Sequence, residues 1–187
     1  MSIITIFTDA LKVFLSPKSF SNVKPERVSI LTMIVYIALV TILSMLIYNI
    51  LFRPIPEKRM LIILIIAELW TIGVIKVIAA ILRLRSKSQI PSDDNVAQLM
   101  LTTATIPGIT WPFITGIVTL LWDALEFGGL LVPLLFTIYV ISLLNTGFKE
   151  FVKLDKDLAL MGTLFYVLLN LAIGVIINGI QAIIVYG

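Results

Sequence analysis

Two ionisable side chains, Glu68 and Lys76, lie inside an otherwise apolar stretch between residues 60 and 82. An ionisable group in a stretch long enough to cross a bilayer is costly, so it indicates a functional role unless a structural one explains it. On a helix, their spacing of eight residues is about 12 Å along the axis and about 80° around it. That separation is too large for a direct ion pair, so each side chain needs another partner or water.

Each of these two residues has more than one interpretation. Lys76 is explained most simply by snorkelling, in which the aliphatic stem stays in lipid and the ammonium reaches the nearer membrane surface. Glu68 lies near the middle of its stretch, from which neither surface is within easy reach. We expect it to bond to a Thr or an Asn on another helix, while a proton or ion relay and a contact with a partner protein stay open.

A second pattern places small or flat side chains on every fourth position, and we call it the small-residue ridge: Ala104, Gly108, Pro112 and Gly116. Residues at this spacing share one helix face and let a neighbouring helix approach closely. Pro107 and Pro112 each remove a backbone hydrogen bond, so we expect a kink or two half-helices. The ridge predicts a packing face, with a substrate cleft at the broken helix as the alternative. Threonines around it are expected to bond across helices or to carbonyls that the prolines free: Thr102, Thr103, Thr105, Thr110 and Thr115.

The composition removes most familiar catalytic chemistry. The chain has no cysteine and no histidine, so it can form neither a disulfide nor a Ser–His or Cys–His nucleophile. The acidic pairs Asp93–Asp94 and Asp155/Asp157 resemble metal ligands, but they stand beside helix starts, where acidic residues usually act as caps. No glycine-rich phosphate loop is present. We therefore predict a protein that is not an enzyme, with no catalytic residue, no cofactor and no metal.

The elements that position these residues are five long apolar stretches, with most charges gathered between them. The chain is 59% apolar, and stretches of about 20 residues match the roughly 30 Å core of a bilayer. The sequence therefore predicts an all-α fold, a polytopic membrane helical bundle forming a single domain over residues 1–187. Five transmembrane helices are expected at about 29–52, 60–82, 96–126, 130–148 and 158–185.

Residues 1–28 precede the first span and form an arm. Between Ile3 and Leu15, apolar residues alternate with Thr8, Asp9 and Lys12, and the segment is too short and too polar to cross a bilayer. We interpret it as an interfacial amphipathic helix on the membrane surface. A cleaved or reversed signal anchor is the alternative. Farther along, Ser92 or Asp93 is expected to cap the third span. In the last span, Asn170, Asn178 and Gln181 are expected to bond within the bundle.

Charge asymmetry predicts the orientation of the chain. If the N-terminus is cytoplasmic, the cytoplasmic segments carry ten basic residues and the opposite side carries three. Five spans then place the C-terminus outside. The isoleucine-rich composition without cysteine or histidine suggests a prokaryotic plasma membrane. With a net charge of only +3, nucleic acid is not an expected partner, whereas membrane lipids are.

Three stretches of the chain carry a further signal: the Pro-containing lead-in 14–20, the proline-centred pattern 96–116 and the fourth-span exit 139–157. They resemble the Yip family, the Ypt-interacting membrane proteins that share a five-span domain. The resemblance implies the five-span fold and a cytosolic N-terminus. In eukaryotic members it also implies association with small Rab-type GTPases and roles in traffic between ER and Golgi. Prokaryotic relatives share the domain, and the present chain lacks the long cytosolic N-terminal region of the eukaryotic members.

Three functions follow as hypotheses. The first is a non-enzymatic membrane scaffold or accessory subunit that packs against other membrane subunits or against itself through the small-residue ridge. The second is a small transporter or permease component that uses Glu68, Lys76 and the broken third helix. The third is a lipid-active enzyme, in which Asp and Glu would have to supply all acid–base chemistry. The short loops and the missing catalytic residue types favour the first.

Overall fold

The computed structural model describes the backbone of residues 1–52, 57–85, 92–125 and 128–186, and the side chains of 1–52, 60–85, 92–119 and 131–172. Within those ranges every regular element is helical and no strand is present. The elements follow the chain in this order: α1 (Ile3–Leu15), a 3₁₀ helix (Pro17–Asn22), α2 (Ile30–Leu51), α3 (Glu57–Arg85), α4 (Asp93–Leu125), α5 (Gly128–Glu150) and α6 (Lys156–Tyr186).

Four of these helices contain a stretch that is long and apolar enough to cross a membrane: Ile30–Leu51, Met60–Arg85, Asp93–Thr119 and Leu131–Glu150. The predicted all-helical, multi-pass membrane architecture is confirmed to that extent. The predicted fifth span, 158–185, coincides with helix α6. Residues 173–185 lie outside the described side chains, so a fifth crossing stays a prediction.

Polar side chains fix where several helices begin. The backbone N–H of Thr32 donates to Ser29 Oγ at 3.0 Å at the start of α2, and that of Asn95 donates to Ser92 Oγ at 3.1 Å at the start of α4. The cap predicted at Ser92 is thereby confirmed. Asp155 caps α6, because its Oδ1 accepts the N–H of Leu158 at 2.8 Å. Each such cap contributes about 1 kcal/mol to helix stability.

Helix α1 has three faces. Ile6, Ala10 and Val13 are fully buried in a helix that packs mainly on α4. Polar residues, among them Asp9 and Lys12, occupy a second face. A third face is apolar and exposed, and we call it the α1 stripe: Ile4, Phe7, Leu11 and Leu15. The predicted amphipathic helix is confirmed with the expected bounds, but one of its faces packs on the protein itself.

The best-packed part of the bundle is the end where α4 begins and α5 ends. We call it the capped end, because the 3₁₀ helix packs there. Phe20 of the 3₁₀ helix is 1% exposed and lies beside Gly147 of α5. Toward the other end, large apolar side chains on α2, α3 and α5 are exposed, as expected for surfaces in lipid. The buried residues at the capped end include Leu82, Leu99, Leu144 and Phe148.

Helix α4 is continuous through both prolines, from Asp93 to Leu125, so the alternative of two half-helices is wrong, and a kink at the prolines stays a prediction. Apolar surroundings favour helical backbone on either side of a proline, because an unwound segment would expose unsatisfied peptide groups to lipid. The threonine hydroxyls do bond to backbone carbonyls of their own helix, for example Thr110 to Ile106 at 2.8 Å. Their acceptors are not the carbonyls four residues before the prolines, at positions 103 and 108, so that part of the expectation is wrong. The expected bond across helices is confirmed for Thr105, which bonds to Tyr36 of α2.

Candidate functional site

Glu68 lies on the face of α3 that packs against α2. Both of its carboxyl oxygens are buried, and neither has a hydrogen-bond partner among the described residues. The backbone of Ala38 in α2 lies beside the carboxyl. The expected bond to a Thr or an Asn side chain is therefore absent from the described part of the chain. The residue as a whole is half-buried, with its carboxyl directed toward α2.

Lys76 lies two turns farther along α3 and extends toward the capped end. Its Nζ lies 3.9 Å from Asp93 Oδ2, and Arg83 Nη2 lies 2.6 Å from Oδ1 of the same carboxylate. Asp93, considered above as a cap or a metal ligand, therefore pairs with two cations. The three side chains are 39% to 60% exposed, so solvent screens these pairs. As expected from their spacing, Glu68 and Lys76 do not form an ion pair with each other.

The small-residue ridge of α4 faces α2 of the same chain over part of its length. A Cβ on Gly108 would lie 3.3 Å from Val40 Cγ1, and one on Gly116 would lie 3.5 Å from Phe52 Cζ. Pro112, between them, is buried. Ala104, at the other end of the ridge, borders a cavity instead. Residues of the same chain therefore cover the ridge at Gly108 and Gly116, so a smaller part of its surface is open to a partner protein.

That cavity has a volume of about 420 Å³ and lies between α2, α3, α4 and α6. Its walls combine apolar side chains with hydroxyl and amide groups, and none of the described Lys, Arg, Asp or Glu residues lines it. Neither Glu68 nor Lys76 is part of the wall. The structure therefore separates these two charges from the cavity beside the ridge. The polar wall residues are Tyr36, Thr41, Ser44, Thr71, Thr105, Tyr166 and Asn170.

Two hydrogen-bonded groups organise the cavity wall. The hydroxyl of Tyr36 lies 2.6 Å from Thr105 Oγ1, which itself donates to the Leu101 carbonyl at 2.5 Å. Thr105 therefore accepts from Tyr36, and the pair links α2 to α4. On the opposite side, Trp70 Nε1 donates to Asn170 Oδ1 at 3.3 Å and links α3 to α6. The prediction that Asn170 bonds within the bundle is confirmed.

A polar contact at the capped end was missed from the sequence. Gln98 of α4 is fully buried. Its Nε2 donates to the Lys24 carbonyl at 3.0 Å, and its Oε1 accepts the backbone N–H of Glu26 at 2.9 Å. We call this contact the Gln98 clamp, because one amide holds both polar groups of the extended arm. The sequence feature that could have predicted this contact is the single amide side chain within the apolar run from Val96 to Leu101.

Two glycines that permit close helix contacts were also missed. A Cβ on Gly147 of α5 would lie 2.2 Å from Leu99 Cδ1 and 2.9 Å from Phe20 Cζ. A Cβ on Gly162 of α6 would lie 3.0 Å from Phe148 Cζ. Neither glycine belongs to a regular small-residue pattern, so the sequence offered no signal for these contacts. No group of three acidic residues among the described ones is placed to hold a metal ion.

Comparisons with known proteins identify no relative. No protein-family model matches the chain. No curated protein matches it. No solved structure matches it. The resemblance to the Yip family stays a prediction from three stretches of sequence.

Proposed function

We propose that this protein is a non-enzymatic integral membrane scaffold or accessory subunit that presents a fixed polar surface at its capped end. The observation that carries the proposal is the Gln98 clamp, with its two hydrogen bonds to the arm. A buried amide that satisfies both a carbonyl and an N–H fixes an extended segment much as a neighbouring strand does. An arm that served only as a connection into α2 would not need such a contact.

The arm that the clamp holds carries exposed basic residues. Lys18, Lys24 and Arg27 are all exposed beside the clamp, and the backbone N–H of Val28 donates to Asp94 Oδ1 at 3.4 Å. Charged groups on a fixed backbone lose less conformational entropy on binding than the same groups on a free tail. The arm is therefore suited to an acidic surface of a membrane protein partner, a second copy of the chain, or anionic lipid.

Most polar side chains named above already bond to other groups of the protein, which supports a role without catalysis. Lys76 pairs with Asp93, Gln98 holds the arm, and several threonine hydroxyls bond to their own helices. General acid–base chemistry needs a titratable group that reaches a bound substrate. Glu68 has buried oxygens and does not line the cavity, so it is badly placed for that role.

The orientation proposed for the chain has five spans, a cytoplasmic N-terminus and an external C-terminus, in a prokaryotic plasma membrane. It rests on the charge asymmetry of the sequence. The chain has no native cysteine, so single-cysteine labelling tests it directly. Ser21→Cys is expected to react with an impermeant maleimide only in opened cells, and a cysteine appended to the C-terminus is expected to react in intact cells. Labelling of both from the same side would refute the five-span topology.

A Yip-like domain, with a small GTPase as one conceivable partner class, is proposed on the resemblance of residues 14–20, 96–116 and 139–157 alone. Recovery of a small GTPase with the purified protein would support that relation. Its absence would leave the scaffold proposal intact, since other membrane subunits and self-association fit the same arm.

Purification in a mild detergent followed by native mass spectrometry tests the scaffold proposal. The wild-type protein is expected to retain a second subunit or a second copy of itself. Lys18→Gln together with Lys24→Gln is expected to weaken that complex, because the exposed charges contribute to recognition. Lys12→Gln, an exposed lysine on helix α1 and outside the extended segment that the Gln98 clamp holds, is the control. A wild-type protein that is strictly monomeric and free of partners refutes the proposal.

A small transporter or permease component is the second candidate, and the cavity beside Gly108 is the observation that favours it. In that case Glu68→Gln should abolish pH-dependent flux in proteoliposomes. The position of Glu68 against Ala38, outside the cavity wall, makes it a poor relay. PH-dependent flux that Glu68→Gln abolishes would overturn our preference for the scaffold.

A further inference from the structure

The cavity between α2, α3, α4 and α6 lies at the depth of the bilayer. Its walls come from residues 36–44 of α2 and 101–111 of α4, which are interior parts of two candidate membrane spans. Its volume of about 420 Å³ falls in the range typical of small-molecule and cofactor sites. Trp111 forms part of the wall and is 48% exposed, so the cavity reaches the surface of the bundle where lipid would lie.

Several hydroxyl groups in the cavity wall make no hydrogen bond to another described residue. Tyr36 and Thr105 bond to each other. In contrast, the hydroxyls of Thr41, Ser44 and Thr71 have no hydrogen-bond partner among the described residues. All three residues are half-buried and line the cavity. Where the cavity is filled by lipid and not by water, an unbonded hydroxyl costs free energy. Three such groups around one space are therefore available to a ligand that offers hydroxyl or carbonyl oxygens.

The charge of the wall limits the class of ligand. No Lys, Arg, Asp or Glu among the described residues lines the cavity, so a phosphate or an ammonium group would lose its hydration there without gaining an opposite charge. An uncharged polar group has no such penalty. The apolar wall residues, among them Ile37, Val40 and Leu101, suit a hydrocarbon body.

We propose that this cavity binds the uncharged head of a neutral lipid. Hydroxyl or ester groups of the lipid bond to Thr41, Ser44 and Thr71, and its chain leaves past Trp111 into the bilayer. Diacylglycerol has this chemistry. The proposal does not depend on the scaffold function, because the site lies away from the Gln98 clamp and its arm.

Photo-crosslinking in nanodiscs tests the site. The protein is reconstituted in phosphatidylcholine with a small amount of a diazirine-bearing diacylglycerol, and crosslinks are located by mass spectrometry. The same diazirine chain on phosphatidylcholine is the reference probe. We expect the diacylglycerol probe to label residues 36–44 and 104–111 preferentially, and unlabelled diacylglycerol to reduce that labelling. Equal labelling by both probes, with no competition, would show contact with bulk lipid only and overturn the proposal.

Two kinds of variant separate binding from general damage. Ala104→Leu fills the cavity and is expected to abolish the preference, whereas Ala80→Leu, on the exposed side of α3, should leave it unchanged. Thr71→Val removes one hydroxyl without changing the shape of the side chain, and the loss of one hydrogen bond corresponds to roughly two- to twelve-fold weaker binding. Its control is Thr137→Val, an exposed residue on α5 that bonds to its own helix. Undiminished labelling in folded Thr71→Val and Ala104→Leu would refute the site.

Discussion

Replacement of Gly147 by alanine should destabilise the protein through one close contact at the capped end. The added methyl group would lie 2.2 Å from Leu99 Cδ1 and 2.9 Å from Phe20 Cζ. Contacts under 3.0 Å require a neighbour to move. Leu99 and Phe20 are 0% and 1% exposed, so neither can turn toward solvent. Helix α5 must then shift away from α4 and the 3₁₀ helix, or a buried side chain must leave its preferred rotamer.

Gly73 supplies the matched control that isolates this effect. It is also a helical glycine, in α3, and a Cβ there would meet nothing within 4 Å. Both substitutions gain the same intrinsic helix preference, about 1 kcal/mol in favour of alanine. That term cancels in the comparison and leaves the cost of overpacking, about 1–3 kcal/mol. For a chain of this size the difference corresponds to roughly 2–12 °C in melting temperature.

Thermal unfolding in one detergent, followed by near-UV circular dichroism, measures the difference. We expect Gly73→Ala to melt at or above the wild-type temperature and Gly147→Ala to melt below Gly73→Ala. The double variant Gly147→Ala/Phe20→Leu should lose less stability than the sum of its single changes, because the smaller side chain makes room for the methyl group. Gly147→Ala that is as stable as Gly73→Ala would refute the packing described here.

Three further predictions concern polar groups at the capped end. Gln98→Leu removes both bonds of the clamp and should cost about 1–3 kcal/mol, with faster hydrogen exchange in the arm; unchanged exchange there would contradict the clamp. Burial is the largest cause that raises the pKa of Asp9, Glu26 adds to it, and Lys12 opposes it. The pKa of Asp9 is therefore higher in the folded protein, and its ionisation costs stability as the pH rises from its ordinary value of 3.8 through the folded value. Asp9→Asn should stabilise the protein at neutral pH but not below pH 3.8, and an equal gain at both would contradict this sign. Arg83→Gln removes a half-exposed ion pair and should lower the free energy of unfolding by less than about 1 kcal/mol, and added salt should abolish the difference. A larger loss that does not depend on salt would contradict this prediction.

Local features of the sequence were sufficient to predict the helices. Apolar runs of membrane length predicted five spans, of which four are confirmed as candidate spans. The interleaved polar residues of 3–15 predicted α1 with its observed bounds. Hydropathy acts within one turn or one span, so a single stretch carries the information. Ser92 as a cap follows for the same reason, because its acceptor and the donor on Asn95 lie three residues apart.

The contacts that were not predicted join distant parts of the chain. Gln98 bonds to residues 72 and 74 positions away, and the space at Gly147 is taken up by Phe20. Such pairs depend on how α1 and the 3₁₀ helix fold back over the bundle, which no periodicity encodes. The continuity of α4 was missed for a different reason. Proline rules derived for water overstate helix breaking where an unwound backbone would face lipid.

An ion pair at the start of α4 accounts for the lysine inside the second candidate span. Lys76 lies nine residues before the last residue of α3, about 13 Å along the helix, yet its ammonium lies 3.9 Å from Asp93 at the start of α4. A lysine stem is long enough to lie along its own helix while the ammonium reaches a polar group farther on. Asp93 also pairs with Arg83, so one carboxylate at the helix start serves both cations. The position of Lys76 in an apolar stretch therefore depends on a residue in the next helix, which explains why a lysine is tolerated there.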